Sequence, residues 1–255
     1  MTEGGRAMKA YAMTDRGRKR QINQDAVYYS AYPVGNLPNL FLVADGMGGH
    51  QAGDFASRFT IDNLVSLVEE AEGNNPISIL NDGIRTVNDR LIDQAASDPA
   101  LYGMGTTLVA ACVMGPVLCV ANVGDSRLYI IGEEEIRQIT RDHSLVEELV
   151  ERGEMERGSA AYEERKNIIT RAIGARRGVS ADFFEVSLEA GDTVLMCSDG
   201  LSNMVSDEAI AGIVSGREDL KGVCEDLIDE ANSNGGKDNI GVVLFRPTQD
   251  EVKEW

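Results

Sequence analysis

The sequence predicts a single α+β domain in which sheets are stacked and helices cover the outside. Two observations lead to this fold class. Strand-like runs occur early and late in the chain, with helical patterns between them. No repeat, low-complexity segment or linker divides the 255 residues, a length that suits one large core. We expect a flexible leader over residues 1–10, one domain over residues 11–246 and a tail over residues 247–255.

The first half of the chain predicts strands and then two helices. One strand covers residues 26–32, and a second begins at Leu40 after a loop from Pro33 to Pro38. Apolar residues at helical spacing then mark two helix faces. The first face holds Phe55, Phe59, Leu64 and Leu67, and the second holds Ile77, Leu80, Ile84, Val87 and Leu91. Pro76 lies near the start of the second helix, where proline is favoured.

The second half returns to strands and ends with helices and one more strand. Strands over residues 106–114 and 117–123 flank Gly115-Pro116, which is typical of a hairpin. The segment 145–167 is rich in charge, helical at first, and then carries Gly153, Gly158 and Ser159, so we expect a mobile flap near a site. The remaining elements are strands over 127–131, 183–188, 193–197 and 240–245 and helices over 206–214 and 219–231.

Composition excludes several classes of function. A net charge of −18 argues against nucleic acid as a partner, because its phosphates need a basic surface. The four cysteines have no CxxC spacing and are expected to be reduced core residues of a cytoplasmic protein. No apolar stretch is long enough to span a bilayer, so we expect no membrane segment in this chain.

Residues 40–50 carry the strongest signal for a functional site. A short apolar run ends at Asp45, and three glycines separate this carboxylate from His50. Glycines let the backbone approach a ligand closely, and a carboxylate beside an imidazole is typical of a metal site with an acid or base. A tight glycine turn capped by Asp45 is the alternative.

Two phosphate-loop patterns nearly fit the same turn. In the pattern GxxxxGK[ST] the glycines fit, but Asp54 and Phe55 stand where Lys and Ser or Thr are needed. A carboxylate at that position would repel phosphate. The pattern GxGxxG meets Gln51 instead of its last glycine. We therefore exclude both nucleotide-binding interpretations.

Five carboxylates lie at the ends of predicted strands. They are Asp25, Asp45, Asp125, Asp199 and Asp238. Aspartate often caps turns after strands, but five such positions could also converge on one edge of the sheets. Carboxylates without Cys or paired His ligands suit Mg²⁺ or Mn²⁺. Two such ions can generate a hydroxide nucleophile and stabilise a phosphoryl displacement.

Together these residues resemble a known family, the metal-dependent Ser/Thr protein phosphatases of type 2C in their compact bacterial form. The resemblance covers residues 11–246 in the right order. It rests on RQINQD (20–25), DGMGGH (45–50), GTT (105–107), VGDSR (123–127), DHS (142–144), TRAIG (170–174), SDGL (198–201) and DN (238–239).

The resemblance implies a fold and an activity. The fold would be a sandwich of two antiparallel sheets flanked by helices, with the metal site at one end. The activity would be hydrolysis of phosphoserine and phosphothreonine in proteins by direct attack of a metal-bridging hydroxide, opposing Ser/Thr kinases in signalling. Two tight Mn²⁺ or Mg²⁺ ions and a third weak one would be bound. The expected partners are phosphorylated proteins and a Ser/Thr kinase, and the expected state is a monomer.

The resemblance also implies a role for each site residue. The first ion would be bound by Asp45, Asp199 and Asp238. The second would be bound by Asp45 and the carbonyl of Gly46, helped by Asp25, and the weak third ion by Asp125 and a shared carboxylate. Arg20 would hold the substrate phosphate, which suits a guanidinium fork. His50 would be the general acid that protonates the leaving oxygen.

Several alternatives remain at this point. Gln24 stands where relatives often carry Glu, and a neutral amide is a weaker ligand for the second ion. Arg20 could be a solvated charge, Asp125 could pair with Arg127 or cap the turn, and His143 is expected to order a turn. Two further interpretations are a pseudophosphatase that binds phosphoproteins without turnover and a phosphatase specialised for one small regulatory phosphoprotein. A structural Ca²⁺-binding protein would need an EF-hand ligand ladder, which the sequence lacks.

Overall fold

The computed structural model describes residues 8–49, 51–133, 135–248 and residue 252. Its strands, in chain order, are β1 (Lys9–Asp15), β2 (Asp25–Ser30), β3 (Leu40–Met47), β4 (Gly105–Thr106), β5 (Leu108–Met114), β6 (Val117–Val123), β7 (Arg127–Ile131), β8 (Ile136–Gln138), β9 (Asp182–Ser187), β10 (Thr193–Cys197) and β11 (Ile240–Arg246). Its α-helices are α1 (Ala52–Glu69), α2 (Pro76–Ser97), α3 (Leu145–Glu151), α4 (Ala160–Arg165), α5 (Asp199–Ser202), α6 (Asp207–Val214) and α7 (Leu220–Ser233).

The strands form two antiparallel sheets. The first sheet has the order β1-β11-β10-β7-β8, and the second has the order β2-β3-β5-β6-β9 with β4 paired to β3. Helices α1 and α2 contact strands of the second sheet, whereas α6 and α7 contact strands of the first. The sheets pack against each other between these helices. The predicted α+β sandwich of stacked sheets with flanking helices is therefore confirmed.

Strand β3 explains why the apolar run before Asp45 is unbroken. Phe41 and Val43 point into the core between the two sheets, and Leu42 and Ala44 pack in the core under the helices. Because both faces of the strand are buried, each position has to be apolar. Across the sandwich, Phe41 stacks on Phe245 of β11 with ring centroids 3.8 Å apart.

The helical prediction for residues 77–91 is confirmed by α2. Asn75 caps this helix, its side-chain oxygen accepting a hydrogen bond of 3.0 Å from the backbone nitrogen of Ser78, and Pro76 occupies the first turn. Such a cap satisfies one of the backbone N–H groups that the first turn leaves without a partner. The four apolar positions Leu80, Ile84, Val87 and Leu91 are all buried.

Two boundaries differ from the prediction. The expected leader ends too late, because Lys9 and Ala10 already pair with Arg246 and Phe245 in β1. The strand predicted from residue 106 is divided at Thr107. Its side-chain oxygen accepts a hydrogen bond from the backbone nitrogen of Asp45 and so replaces a backbone ladder bond. Strands β9 and β10 lie in different sheets although the chain joins them directly.

The flap predicted over residues 145–167 contains α3 and α4. It leaves and rejoins the sandwich at one place, where Ser144 forms a β-bridge with Ile169. The backbone nitrogen of Leu145 also donates to the carbonyl of Ile168 at 2.8 Å. We call residues 145–167 the flap segment.

Among the described residues, none of the helices combines the length and the apolar character needed to cross a bilayer.

Candidate active site

The five predicted carboxylates converge at one end of the sandwich. Asp25 and Asp45 are direct partners in the register of β2 and β3, so their side chains share a face. That face is the inner one, since Val27 and Val43, two residues along each strand, pack in the core between the sheets. Asp199 and Asp238 act electrostatically on both carboxyls, and Asp125 acts on Asp45.

Asp25 is held from the opposite sheet. The hydroxyl of Ser198, at the end of β10, donates to Asp25 Oδ2 at 2.6 Å and accepts from the backbone nitrogen of Gly241 at 2.8 Å. A Cβ on Gly241 would lie 3.2 Å from Asp25 Oδ2. Glycine on β11 therefore leaves room for a buried carboxylate in the gap between the sheets.

Asp45 is fixed in place by hydrogen bonds of its backbone. The backbone nitrogen of Asp45 donates to Thr107 Oγ1 at 3.0 Å, and its carbonyl accepts from Thr106 Oγ1 at 2.9 Å. The next residue, Gly46, donates from its nitrogen to the carbonyl of Gln24. Its own carbonyl would lie only 2.7 Å from a Cβ on Gly53, so the first turn of α1 has to carry glycine there.

Asp199 and Asp238 come from the first sheet. Asp199 opens the short helix α5, and Asn203 one turn later donates to Asp199 Oδ2 at 3.0 Å. Asp238 precedes β11 and accepts from Arg20 Nη2 at 2.7 Å. Arg20, which the sequence left open as a solvated charge, is therefore placed at the site.

Asn239 fastens the loop that carries Arg20. Its amide nitrogen donates to the carbonyls of Arg16 and Ile22, both at 2.9 Å. Its amide oxygen accepts from the backbone nitrogen of Gln24 at 2.9 Å. One buried side chain thus holds the loop at both ends.

Asp125 lies where the chain crosses from the second sheet to the first. The preceding residue, Gly124, has a φ of 109°, and its backbone nitrogen donates to His143 Nδ1 at 3.0 Å. His143 orders this turn, as predicted. Arg127 binds Asp142 through Nε and Nη2, so it does not form the pair with Asp125 that the sequence left open.

Burial is the main reason that carboxyl pKa values in the cluster are raised, and repulsion between the carboxylates adds to it. From an ordinary value of 3.8, the pKa of Asp199 rises to about 6, that of Asp25 to about 7 and that of Asp125 to about 8. The pKa of Asp45 is also raised well above its ordinary value. Neighbouring charges of the same sign make each carboxylate harder to ionise.

The donor chemistry of the cluster fits hard divalent cations. Two buried carboxylate oxygens, Asp25 Oδ1 and Asp199 Oδ1, accept no hydrogen bond from a described residue. Each of these side chains is within hydrogen-bonding range of the Asp45 carboxyl, which has no proton to donate once it is ionised. Oxygen ligands of this kind are those that Mg²⁺ and Mn²⁺ prefer.

The cluster is not a closed cage. Within the described ranges, no three side chains of His, Cys, Asp or Glu are grouped closely enough to hold one metal ion between them. The fit to a divalent cation therefore rests on three observations. The ligand atoms are carboxylate oxygens, two of these oxygens accept no hydrogen bond from a described residue, and the carboxyl pKa values are raised. The predicted general acid, His50, lies outside the described residues.

A cavity of about 190 Å³ adjoins the cluster on the side of the flap segment. Its lining includes Asp125 and Asp199 on one side and Tyr162, Lys166 and Asn167 of the flap segment on the other. Asn203 connects the two sides, because its amide nitrogen also lies 3.3 Å from Asn167 Oδ1. Open space therefore extends from the carboxylates to the flap segment.

Comparison with known proteins identifies the family. The family model of protein phosphatase 2C matches residues 18–240. The chain belongs to the protein phosphatase 2C family. The "Serine/threonine phosphatase stp" of Listeria welshimeri is 41% identical over 243 residues, which cover 93% of this chain and 95% of that protein.

Solved structures agree with this assignment. The chain superimposes on the Mycobacterium tuberculosis serine/threonine phosphatase PstP/Ppp with a TM-score of 0.86 and 35% identity, covering 95% of this chain and 99% of that one. The catalytic domain of PstP in complex with two manganese ions gives a TM-score of 0.82 and 36% identity, covering 94% and 97%. As a member of the protein phosphatase 2C family, this phosphatase is a hydrolase.

Several supporting residues of the phosphatase were not predicted. The sequence motifs contained Ser198 and Asn239 but gave no reason for their hydrogen bonds to Asp25 and to the Arg20 loop. Asn203 had one usable signal, since it lies four residues after Asp199 and so on the same helix face. The partners of Ser198 and Asn239 are more than 170 residues away in the chain, a separation that local patterns do not reveal.

We predict that the metal-free phosphatase loses stability as pH rises through the window from about 5 to about 8.5. Asp199, Asp25 and Asp125 bind protons more tightly in the folded chain (pKa about 6, 7 and 8) than in the unfolded one (3.8). The stability that these protonated carboxyl groups contribute is therefore fully present below the pKa of the unfolded chain. It is lost as pH rises through the pKa values of the folded chain. Melting temperatures in EDTA across this window measure the effect.

The variant Asp25→Asn should flatten this pH dependence, because an amide does not titrate. Asp229→Asn, on the exposed face of α7, is the matched control and should keep the wild-type slope. A melting temperature of wild type that rises through the window would contradict the prediction.

Proposed function

We propose that this phosphatase hydrolyses phosphoserine and phosphothreonine in proteins, with Mn²⁺ or Mg²⁺ as cofactor and without a phosphoenzyme. The observation that supports this most is the cluster of carboxylates, in which buried oxygens of Asp25 and Asp199 accept no hydrogen bond from a described residue and Asp238 is paired with Arg20. The curated relative named above as a serine/threonine phosphatase supports the substrate class. In this proposal the phosphatase opposes a Ser/Thr kinase in signalling and acts as a monomer.

We place two tightly bound cations on the carboxylates. Asp45, Asp199 and Asp238 would hold the first, and Asp45 with the carbonyl of Gly46 would hold the second, with help from Asp25. When bound, the cations would supply a nucleophile from water and neutralise charge on the phosphate. The PstP structure with two manganese ions supports this number of tight ions.

Arg20 is proposed to bind the substrate phosphate. Its loop is held at both ends by Asn239, and its guanidinium is directed to the cluster by Asp238. An arginine held in this way can present two parallel N–H groups to phosphate oxygens. His50 is proposed to protonate the leaving oxygen of serine or threonine.

Cytoplasmic location is part of the proposal. The four cysteines are all buried and free. Burial raises the pKa of the thiols, to about 12 for Cys112, Cys197 and Cys224. Unpaired and unreactive thiols suit a reducing compartment.

Turnover of a phosphothreonine peptide with Mn²⁺ and with EDTA tests the proposal directly. A phosphatase should release phosphate only with the cation. A pseudophosphatase, the main alternative, would bind the peptide under both conditions and release none.

We predict that Asp199→Asn lowers turnover at least about a hundred-fold and leaves the fold intact. Changes to the residues that merely support metal ligands already cost about 10–100-fold, and this change removes a charge from the ligand itself. Phosphate release at saturating Mn²⁺ and the far-ultraviolet circular dichroism spectrum measure the two effects. Asp229→Asn is again the control, and near-normal activity of Asp199→Asn would contradict its assignment as a ligand.

We predict that the effect of His50→Gln depends on the leaving group. A serine or threonine alkoxide is a poor leaving group and needs a proton, whereas p-nitrophenolate does not. General-acid catalysis contributes about 10²–10⁴-fold, so turnover of the phosphopeptide should fall by that amount and that of p-nitrophenyl phosphate much less. Equal losses on the two substrates would remove His50 from this role.

We predict that Asp125→Ala keeps both tight ions but lowers turnover of phosphopeptides well below wild type. This follows if Asp125 holds a weak third ion with a shared carboxylate and mostly water, since Mg²⁺ and Mn²⁺ keep water ligands readily. Calorimetric metal stoichiometry and kcat at saturating Mn²⁺ measure both properties. Wild-type kcat with unchanged stoichiometry would exclude a third ion at Asp125.

A further inference from the structure

A group of exposed cations borders the active site of this otherwise acidic protein. The segment 16–20 contains three more basic residues besides Arg20 and no acidic one, and Lys237 immediately precedes Asp238. We call Arg16, Arg18, Lys19 and Lys237 the cationic rim. All four are exposed. The rim stands out because the chain as a whole has 42 acidic and 24 basic residues.

The two segments of the rim run side by side. The backbone nitrogens of Arg18 and Lys19 donate to the carbonyl of Gly236 at 2.8 and 3.1 Å. Gly17 packs so closely on Asp238 that a Cβ there would lie 2.1 Å from the Asp238 carbonyl oxygen. The rim is therefore built on backbone that is fastened to a predicted metal ligand.

The charges of the rim are available to a partner. Among the described residues, none of the four cations has an ion pair, whereas Arg20 is paired with Asp238. The two acidic residues adjacent to the rim in sequence already have other partners: Asp238 is paired with Arg20, and Asp15 Oδ1 accepts from Gly17 and from Asn232. Unpaired cations on an anchored backbone repel one another unless an anion lies among them.

The position of the rim beside Arg20 and Asp238 indicates which part of a bound substrate would contact it. Lys19 and Lys237 are direct neighbours of Arg20 and Asp238, so their Cα atoms lie about 3.8 Å from those of the site residues. An extended peptide advances about 3.3–3.6 Å per residue. The rim therefore meets residues within a few positions of the phosphorylated one.

We propose that the cationic rim selects substrates whose phosphoserine or phosphothreonine is flanked by acidic or further phosphorylated residues. This inference rests on the proposed phosphatase activity and extends it to sequence preference. A polypeptide is favoured over a nucleic acid or an anionic membrane, because the remaining surface of a protein with net charge −18 repels extended polyanions.

The test compares two phosphothreonine peptides that differ only at the flanking positions, Glu in one and Ser in the other. Wild type should cleave the acidic peptide with a kcat/KM about ten-fold higher, because several exposed ion pairs of small individual strength add together. The difference should lie in KM rather than kcat, since flanking contacts are the same in the ground state and the transition state. At about 1 M salt, where the screening length is about 3 Å, the preference should disappear.

The variant Arg18→Gln/Lys19→Gln/Lys237→Gln removes three rim charges. It should cleave both peptides with nearly equal kcat/KM and should cleave p-nitrophenyl phosphate, which has no flanking residues, at close to the wild-type rate. The matched control Arg85→Gln/Arg176→Gln/Lys221→Gln removes three exposed charges elsewhere and should keep the ten-fold preference. An acidic preference that survives in the rim variant, or is absent from wild type, overturns the inference.

Binding separates this inference from the proposed activity. If no substrate is hydrolysed, the proposed activity fails, and the rim is judged by fluorescence anisotropy with the two peptides carrying a non-hydrolysable phosphonate. Tighter binding of the acidic peptide by wild type and by the control variant, but not by the rim variant, supports the rim. Equal binding of the two peptides overturns it. So does rim-dependent binding of a single-stranded oligonucleotide, or of vesicles of phosphatidylserine and phosphatidylcholine, that is tighter than binding of the acidic peptide.

Discussion

The active site depends on carboxylates that repel one another and are nevertheless held together. Asp25 and Asp45 face each other across two hydrogen-bonded strands, so neither can move away without breaking the sheet. Burial and the neighbouring charges raise their pKa values. The surrounding structure supplies the free energy that keeps them together, and a divalent cation would remove the repulsion. The close placement of these carboxylates therefore lowers the stability of the fold and at the same time makes the site suited to a metal.

The site exists only when the two sheets stack. Asp25 and Asp45 lie on strands of the second sheet, whereas Asp199 follows β10 and Asp238 precedes β11 in the first. The apolar core fixes the distance between the sheets, with Phe41 stacked on Phe245. At the polar end, Ser198 continues the contact by a hydrogen bond to Asp25. The apolar core and the proposed metal site are thus two parts of one interface between the sheets.

The sequence could predict the elements that are defined by local patterns. Unbroken apolar runs identified β3 and β10, because both faces of these strands are buried. Each of these runs ends in Asp-Gly, which marked Asp45 and Asp199. The sequence could not predict β1. The half-buried residues of this strand give a weak signal, and its partner, β11, lies at the other end of the domain. The sequence could not assign Ser198 or Asn239 either, because their roles arise from contacts between distant segments.

The flap segment and the carboxylate cluster share supporting residues. Asn203 donates to Asp199 and also lies near Asn167 of the flap segment. His143 Nδ1 accepts a hydrogen bond from the backbone nitrogen of Gly124, the residue before Asp125. The carbonyl of His143 accepts one from the backbone nitrogen of Thr170, just beyond the flap segment. Displacing the flap segment would therefore disturb the neighbours of two site carboxylates at once. Metal affinity depends on how such neighbours orient the ligands. If the carboxylates hold cations as proposed, the position of the flap segment would therefore affect how tightly they are held. Flap segments of different sequence could for this reason change metal affinity while every carboxylate stays the same.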